Sequence, residues 1–117
     1  MIHPFKAFKN SCNGLKLAFT EDRSWRNTFW QFCAGSVIAT IIYFVSNETI
    51  FMWLLMVASL FPMVIVETVN SSIEAVTDKA SPERSALAMK AKDIGSAAVL
   101  VSRLLAILCW IVALSAL

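Results

Sequence analysis

Three long, almost uncharged blocks dominate this 117-residue sequence, at residues 28–45, 49–69 and 97–117. Each block comes close to the roughly 20 apolar residues that a helix needs to cross a bilayer core about 30 Å thick. The chain is 58% hydrophobic and 15% charged, whereas soluble domains average about 45–50% apolar and about 25% charged residues. A soluble fold of this length has too little interior to bury such blocks. We therefore predict one all-α integral membrane domain over residues 1–117, with three transmembrane helices.

The basic residues predict how these helices are oriented. All but one of the ten Lys and Arg residues lie before the first block or between the second and third blocks, and the exception is Arg103 inside the third block. The positive-inside rule assigns both basic segments, and with them the N-terminus, to the cytoplasm. A net charge of only +2 does not suggest nucleic-acid binding.

Residues 4–26 have the pattern of an amphipathic helix that lies on a membrane surface. Their apolar residues recur at spacings of three and four, at Phe5, Phe8, Cys12, Leu15, Ala18 and Phe19, while the polar face carries Lys6, Lys9, Asn10 and Lys16. We predict that this helix lies flat on the cytoplasmic leaflet.

A polar stripe follows the second block, in the segment VETVNSSIEAVTDK at residues 66–79. A helix continued at 100° per residue places its polar side chains within an arc of about 100°: Glu67, Asn70, Ser71, Glu74 and Asp78. An ionisable side chain at the lipid edge is a functional candidate, so Glu67 is a candidate general base. Glu74 lies further out, where it could bind a metal. A solvated helix face is the alternative, above all for Asp78.

The next segment, residues 79–88, predicts a loop in which Ser81 is the N-cap of a helix that begins at Pro82. In that helix Lys92 and Asp93 lie at the membrane surface. Lys92 could bind phosphate or could simply extend towards the lipid interface. The sequence has no GxxxxGK[ST] loop, so any nucleotide chemistry would depend on side chains and metal held by helices.

The segments VETVNSSIEAVTDK and AKDIGSAAV closely resemble the prokaryotic diacylglycerol kinase family of small integral membrane lipid kinases, and GLKLAF followed by EDRSWRN resembles it more weakly. The resemblance implies a homotrimer of three-span protomers with surface helices, located in the bacterial inner membrane. It also implies transfer of the γ-phosphoryl group of MgATP to the primary hydroxyl of a membrane lipid.

The resemblance implies a role for individual residues as well. Glu67 falls on the catalytic base, and Asp22 and Glu74 fall on the Mg²⁺ ligands, with Glu21 as the alternative to Asp22. The nucleotide-binding positions are Asn10, Asp22, Glu74, Glu83, Arg84, Ser85, Lys92 and Asp93. The lipid-binding positions are Trp25, Arg26, Glu67, Asn70, Ser96 and Trp110.

Two positions depart from the family pattern. Thr28 stands where the family often has a second glutamate, and Arg103 stands where it is usually apolar. Arg103 could extend to the cytoplasmic interface or pair across the trimer.

Two other functions fit the same residues. An undecaprenol kinase of the same family would use the same fold, because the sequence contains no recognisable code for the lipid. A non-enzymatic membrane protein or transporter subunit would use Glu67 and Glu74 as a cation or proton relay. Lys92 and Asp93 argue against the relay, since a relay needs no phosphate-binding lysine.

Overall fold

The computed structural model describes residues 3–117, and its regular structure consists of five α-helices. They are α1 (Pro4–Glu21), α2 (Arg23–Ser46), α3 (Ile50–Ala58), α4 (Phe61–Ala80) and α5 (Ala86–Ser115). Within residues 3–117 there is no β-strand. The predicted all-α class is therefore confirmed.

Three helical segments are long and apolar enough to cross a membrane: α2, the pair α3 and α4, and α5. Most of their large apolar side chains lie on the outside of the protein. Phe44 and Phe51, for example, are 76% and 77% exposed. A continuous apolar surface of this kind is unfavourable in water and is suited to lipid. The prediction of three membrane helices is thus confirmed.

The second membrane segment is interrupted where α3 meets α4. The Ser59 N–H still donates to the Leu55 carbonyl at 3.1 Å, but the Leu60 N–H donates to Val57, only three residues earlier. Pro62 follows; it has no N–H, and its ring clashes with the carbonyl four residues before it. Ser59 and Leu60 keep right-handed helical dihedrals, so the chain tightens by one hydrogen bond at Leu60 while the segment continues in the same direction.

The N-terminal helix ends at Glu21, five residues before the predicted limit of 26. Asp22 has an extended backbone (φ −114°, ψ 107°), and its Oδ1 accepts from the Trp25 N–H at 3.1 Å. Asp22 is therefore the N-cap of α2. Arg26 joins the two helices, because its Nη1 donates to the Phe19 carbonyl at 2.8 Å and to the Thr20 carbonyl at 3.2 Å.

The loop between α4 and α5 corrects one prediction. The N-cap of the last helix is Ser85, whose Oγ accepts from the Ala88 N–H at 3.0 Å, and α5 begins at Ala86. Ser81 instead ends α4, and its hydroxyl donates to the Glu83 carbonyl at 2.7 Å. The predicted Ser81 cap was wrong because residues 82–85 remain outside the helix.

The helices pack through two buried clusters that combine alanines with larger apolar side chains. The most extensive contact joins α4 and α5, and α2 packs against α4. One buried cluster contains Ala39, Met56 and Ala113, and a second contains Leu60, Met63 and Ala106. This packing brings together the start of α2, the end of α4 and the start of α5. We call this region, with α1, the polar end of the bundle.

Candidate active site

Glu67 is buried where α4 packs against α2. Its side chain is only 3% exposed. Oε1 accepts from the Ser24 hydroxyl at 3.1 Å, and Oε2 accepts from the Thr28 hydroxyl at 3.5 Å. No salt bridge reaches this carboxylate from any residue in the range 3–117. Glu67 thus faces protein rather than lipid, and neutral hydroxyl groups are its hydrogen-bond donors.

Trp25 connects the start of α2 to α4 beside Glu67. It is 4% exposed, its Nε1 donates to the Thr68 hydroxyl at 2.8 Å, and its ring stacks on Phe29. Trp25 and Phe29 also line an apolar groove of about 510 Å³ between α1, α2 and α4. The other lining residues are Leu15, Lys16, Phe19, Phe32, Phe61 and Val64. The groove is therefore connected to the candidate base through Trp25, which lines the groove and bonds to Thr68, the residue after Glu67.

Asn70 connects Glu74 to the α4–α5 contact. Its Nδ2 donates to Glu74 Oε1 at 3.2 Å, and its side chain is 6% exposed. Its Oδ1 is buried and has no hydrogen-bond partner among the described residues. A Cβ atom built on Gly95 would lie 2.1 Å from this oxygen. Glycine at position 95 is therefore what lets α5 approach Asn70 so closely.

Three carboxylates converge at the polar end. Burial is the largest effect that disfavours ionised Glu74, and the charges of Asp22 and Glu67 add to it, whereas Lys92 and the hydrogen bond from Asn70 favour the ionised form. Asp22 is held in place because its Oδ2 accepts from the Ser71 hydroxyl. Glu21, the alternative to Asp22, is the exposed last residue of α1. Within residues 3–117, no group of three or more His, Cys, Asp or Glu side chains is arranged to hold a metal ion.

A second, polar cavity lies between α4, the loop and α5. It has a volume of about 280 Å³, and its polar lining comes from Asp78, Ser81, Arg84, Lys92 and Asp93. Lys92 Nζ forms a salt bridge with Asp78 at 2.5 Å, and the two side chains are 42% and 65% exposed. The structure thus brings together three of the predicted nucleotide-binding residues and adds Asp78.

Other predicted site residues lie apart from these groups. Asn10 and Ser96 are exposed on α1 and α5, and Glu83 is exposed in the loop. The Ser85 hydroxyl caps α5. Trp110 packs against both buried clusters, and its Nε1 donates to the Met56 carbonyl at 3.0 Å, which is a structural contact within the membrane.

Sequence reasoning missed the hydroxyl groups that surround the carboxylates. Ser24 and Thr28 contact Glu67, and Ser71, although it was placed on the polar stripe, was not predicted to contact Asp22. The stripe on α4 was a usable signal for Ser71. Ser24 lies between charged and aromatic residues, and its local sequence carries no comparable signal.

The fold and the site together define a class: a helical membrane protein with a buried carboxylate beside an apolar groove, and a cluster of charged side chains at one end. The sequence model of the family described as "Prokaryotic diacylglycerol kinase" matches residues 9–114. The chain belongs to the prokaryotic diacylglycerol kinase family.

Relatives from several bacteria agree with this assignment. The diacylglycerol kinase of Haemophilus influenzae is 30% identical over 110 residues, which cover 94% of this chain and 90% of the relative. That of Escherichia coli K12 is 33% identical over 109 residues, covering 93% and 86%. That of Helicobacter pylori 26695 is 34% identical over 106 residues, covering 91% and 80%.

Proposed function

We propose that this protein is an ATP-dependent diacylglycerol kinase, which transfers the γ-phosphoryl group of ATP to the primary hydroxyl of diacylglycerol and forms phosphatidic acid. Family membership and the names of the relatives support the activity. The observation that carries the mechanism is the position of Glu67, a buried carboxylate between an apolar groove and a cluster of charged side chains.

Glu67 is the catalytic base in this proposal. Its carboxylate accepts the proton of the lipid hydroxyl as the oxygen of that hydroxyl attacks the γ-phosphorus in line with the leaving group. Ser24 and Thr28 hold the two carboxylate oxygens from α2. These contacts restrict rotation of the side chain, so the base keeps one orientation towards the substrate.

The lipid lies in the apolar groove between α1, α2 and α4. Leu15 and Phe19 supply one wall, and Trp25 and Phe29 supply the other. An acyl chain that enters the groove from the bilayer exchanges lipid contacts for contacts with these apolar side chains, so its binding depends on packing rather than on removal from water. Trp25 bonds to Thr68, the residue after Glu67, so the proposal places the hydroxyl end of the lipid beside Trp25, on the side of the groove nearest the base.

Asp22 and Glu74 would hold Mg²⁺. Mg²⁺ sites of kinases commonly use one or two carboxylates together with substrate phosphates, so this pair fits even without a third acidic ligand. The Asp22 charge disfavours ionised Glu74. A divalent cation held by both carboxylates would relieve this repulsion. When bound, the ion neutralises charge on the phosphates during transfer.

The nucleotide phosphates are bound by Lys92 and Arg84, with Asp93 as a hydrogen-bond acceptor in the same cavity. Lys92 is free to change partner. Its salt bridge with Asp78 joins two substantially exposed groups, and exposed pairs contribute only about 0–1 kcal/mol. Replacing Asp78 by a phosphate therefore costs little.

The proposal includes a homotrimer in the bacterial inner membrane, with the N-terminus and the polar end in the cytoplasm. The basic residues support this orientation. Gln31 supports assembly, because its polar side chain stays exposed on a membrane helix although its Oε1 accepts from Arg103. Such groups are costly in lipid, and a neighbouring protomer would cover it.

The test is phosphoryl transfer from γ-labelled ATP to diacylglycerol in mixed micelles, with undecaprenol as the comparison lipid. We expect Mg²⁺-dependent transfer to diacylglycerol. Glu67→Gln should lower kcat by about 10²- to 10⁴-fold, the usual contribution of general acid–base catalysis. Glu48→Gln, in the turn between α2 and α3, is the matched control and should keep activity.

Each contrary result has a separate meaning. Full activity of Glu67→Gln would show that Glu67 is not the base. Transfer to undecaprenol alone would show that undecaprenol, and not diacylglycerol, is the lipid substrate. No transfer to either lipid would refute the kinase assignment.

A further inference from the structure

Arg103 is the one basic residue inside an apolar block, and it reaches from α5 to α2. Its Nη1 donates to Gln31 Oε1 at 2.5 Å, and its Nη2 donates to the Thr28 hydroxyl oxygen at 2.8 Å. Thr28 is 1% exposed, and its hydroxyl in turn donates to Glu67 Oε2 at 3.5 Å, a long contact for two oxygen atoms. A chain of hydrogen bonds therefore runs from the Arg103 cation through one hydroxyl to the proposed base.

The Arg103 contact determines which way the Thr28 hydroxyl points. Arginine has donors and no acceptor, whereas a hydroxyl has one donor and two acceptor positions. Thr28 must therefore accept from Arg103, which leaves its single O–H to donate elsewhere. Because the side chain is buried, the nearby acceptors are the Glu67 carboxylate and the carbonyls of its own helix.

Other threonines in this protein take the second option. Thr20, Thr40 and Thr68 each donate to the carbonyl four residues earlier, at 2.9, 2.8 and 2.6 Å. This back-bonding is the usual behaviour of threonine within helices. Thr28 lies within α2, yet in the described chain its hydroxyl bonds to Glu67 and not to the Ser24 carbonyl. Arg103 is the cationic group in contact with this hydroxyl.

The positive charge of Arg103 also supports its influence on the contact between Thr28 and Glu67. The donors to Glu67 are neutral hydroxyls, so the ionised carboxylate is stabilised less than it would be in a direct ion pair. A guanidinium one hydroxyl away polarises the Thr28 O–H and strengthens its bond to the carboxylate.

We propose that Arg103 is a positioning residue for the phosphoryl-transfer reaction, acting through the Thr28 hydroxyl to hold Glu67 in its reactive orientation. This inference rests on the proposed role of Glu67. It also explains the two departures from the family pattern together, because Thr28 and Arg103 are in direct contact.

The first test compares Arg103→Leu with Arg103→Lys, using Leu104→Ala, an exposed neighbour on the same helix, as the control. Arg103→Leu should lower kcat per folded protein by about 10- to 100-fold, the equivalent of losing one hydrogen bond to a charged group. The KM values for ATP and lipid should stay within about twofold. Arg103→Lys, which keeps a cationic donor, should recover part of the loss, and Leu104→Ala should match the wild type.

The second test keeps the proposal falsifiable if Arg103→Leu fails to fold. Thr28→Val has nearly the same shape and removes only the hydroxyl, so it should lower kcat by a similar factor, whereas Thr28→Ser should retain activity. Because both residues act through one contact, the double variant Arg103→Leu/Thr28→Val should lose no more than the more severe single variant. Wild-type kcat in Thr28→Val, or losses that multiply in the double variant, would overturn the proposal.

The proposed function can fail independently of this inference. Wild-type transfer tests the kinase assignment, and Glu67→Gln tests the base. If both behave as proposed and Arg103→Leu retains full kcat, only the role of Arg103 is refuted. In the Glu67→Gln background, Arg103→Leu should cause no further loss, and an additional loss would show that Arg103 acts on something other than the base.

Discussion

Replacing Gly95 by alanine should weaken the contact between α4 and α5 and lower activity at the same time. The new Cβ would lie 2.1 Å from Asn70 Oδ1, whereas carbon–oxygen contacts in proteins are about 3.3 Å or longer. One of the two groups must therefore move by about 1 Å. Asn70 has little freedom, because it is 6% exposed and bonded to Glu74.

Two opposing effects determine how Gly95→Ala changes the free energy of unfolding. Overpacking of a buried site costs about 1–3 kcal/mol, and the rigidity of Asn70 places this contact near the upper end. Alanine favours a helix over glycine by about 1 kcal/mol, which offsets part of the loss. We expect a net destabilisation of about 1–2 kcal/mol and reduced kcat, because displacing Asn70 also displaces Glu74.

The other two glycines are matched controls. A Cβ on Gly14 meets nothing within 4 Å, so Gly14→Ala should be neutral or slightly stabilising. A Cβ on Gly35 would lie 2.8 Å from Leu60 Cδ1, the flexible end of a side chain, so Gly35→Ala should fall between the two. The assays are thermal unfolding in one detergent and phosphoryl transfer per folded protein. If Gly95→Ala were as stable and as active as Gly14→Ala, the reasoning would be refuted.

Three further predictions concern the polar end. Glu74→Gln should raise the Mg²⁺ concentration needed for half-maximal activity, and an unchanged metal titration would remove Glu74 from the ligand set. Asp22→Asn should lose activity but keep the unfolding temperature, since asparagine caps a helix as well as aspartate does. Asp22→Ala should lose activity and also about 1 kcal/mol of stability. Equal unfolding temperatures for the two variants would contradict the role of Asp22 as the N-cap. Trp25→Phe removes the donor to Thr68 and should cost about 1 kcal/mol, which a chemical denaturation series would detect; no change would mean that this bond contributes nothing.

The sequence was sufficient to predict the elements that depend on local pattern. Hydropathy located the three membrane segments because a bilayer imposes a minimum apolar length on each one. Helical periodicity placed Glu67, Asn70 and Glu74 on one face of α4, since residues three and four apart are neighbours on any α-helix. The cap at Ser81 was wrong because two serines flank the same short loop, and the chain's path through that loop selects Ser85.

The tertiary structure alone decided which groups meet across helices. Ser24 and Thr28 contact Glu67 over separations of 43 and 39 residues, and Arg103 reaches Thr28 over 75. Each contact depends on the rotation and axial offset of one helix against another. A rotation of a few tens of degrees would carry a hydroxyl beyond hydrogen-bonding distance while leaving every hydropathy pattern unchanged. For this reason the sequence identified a base candidate, and only the packed helices identified the groups that hold it.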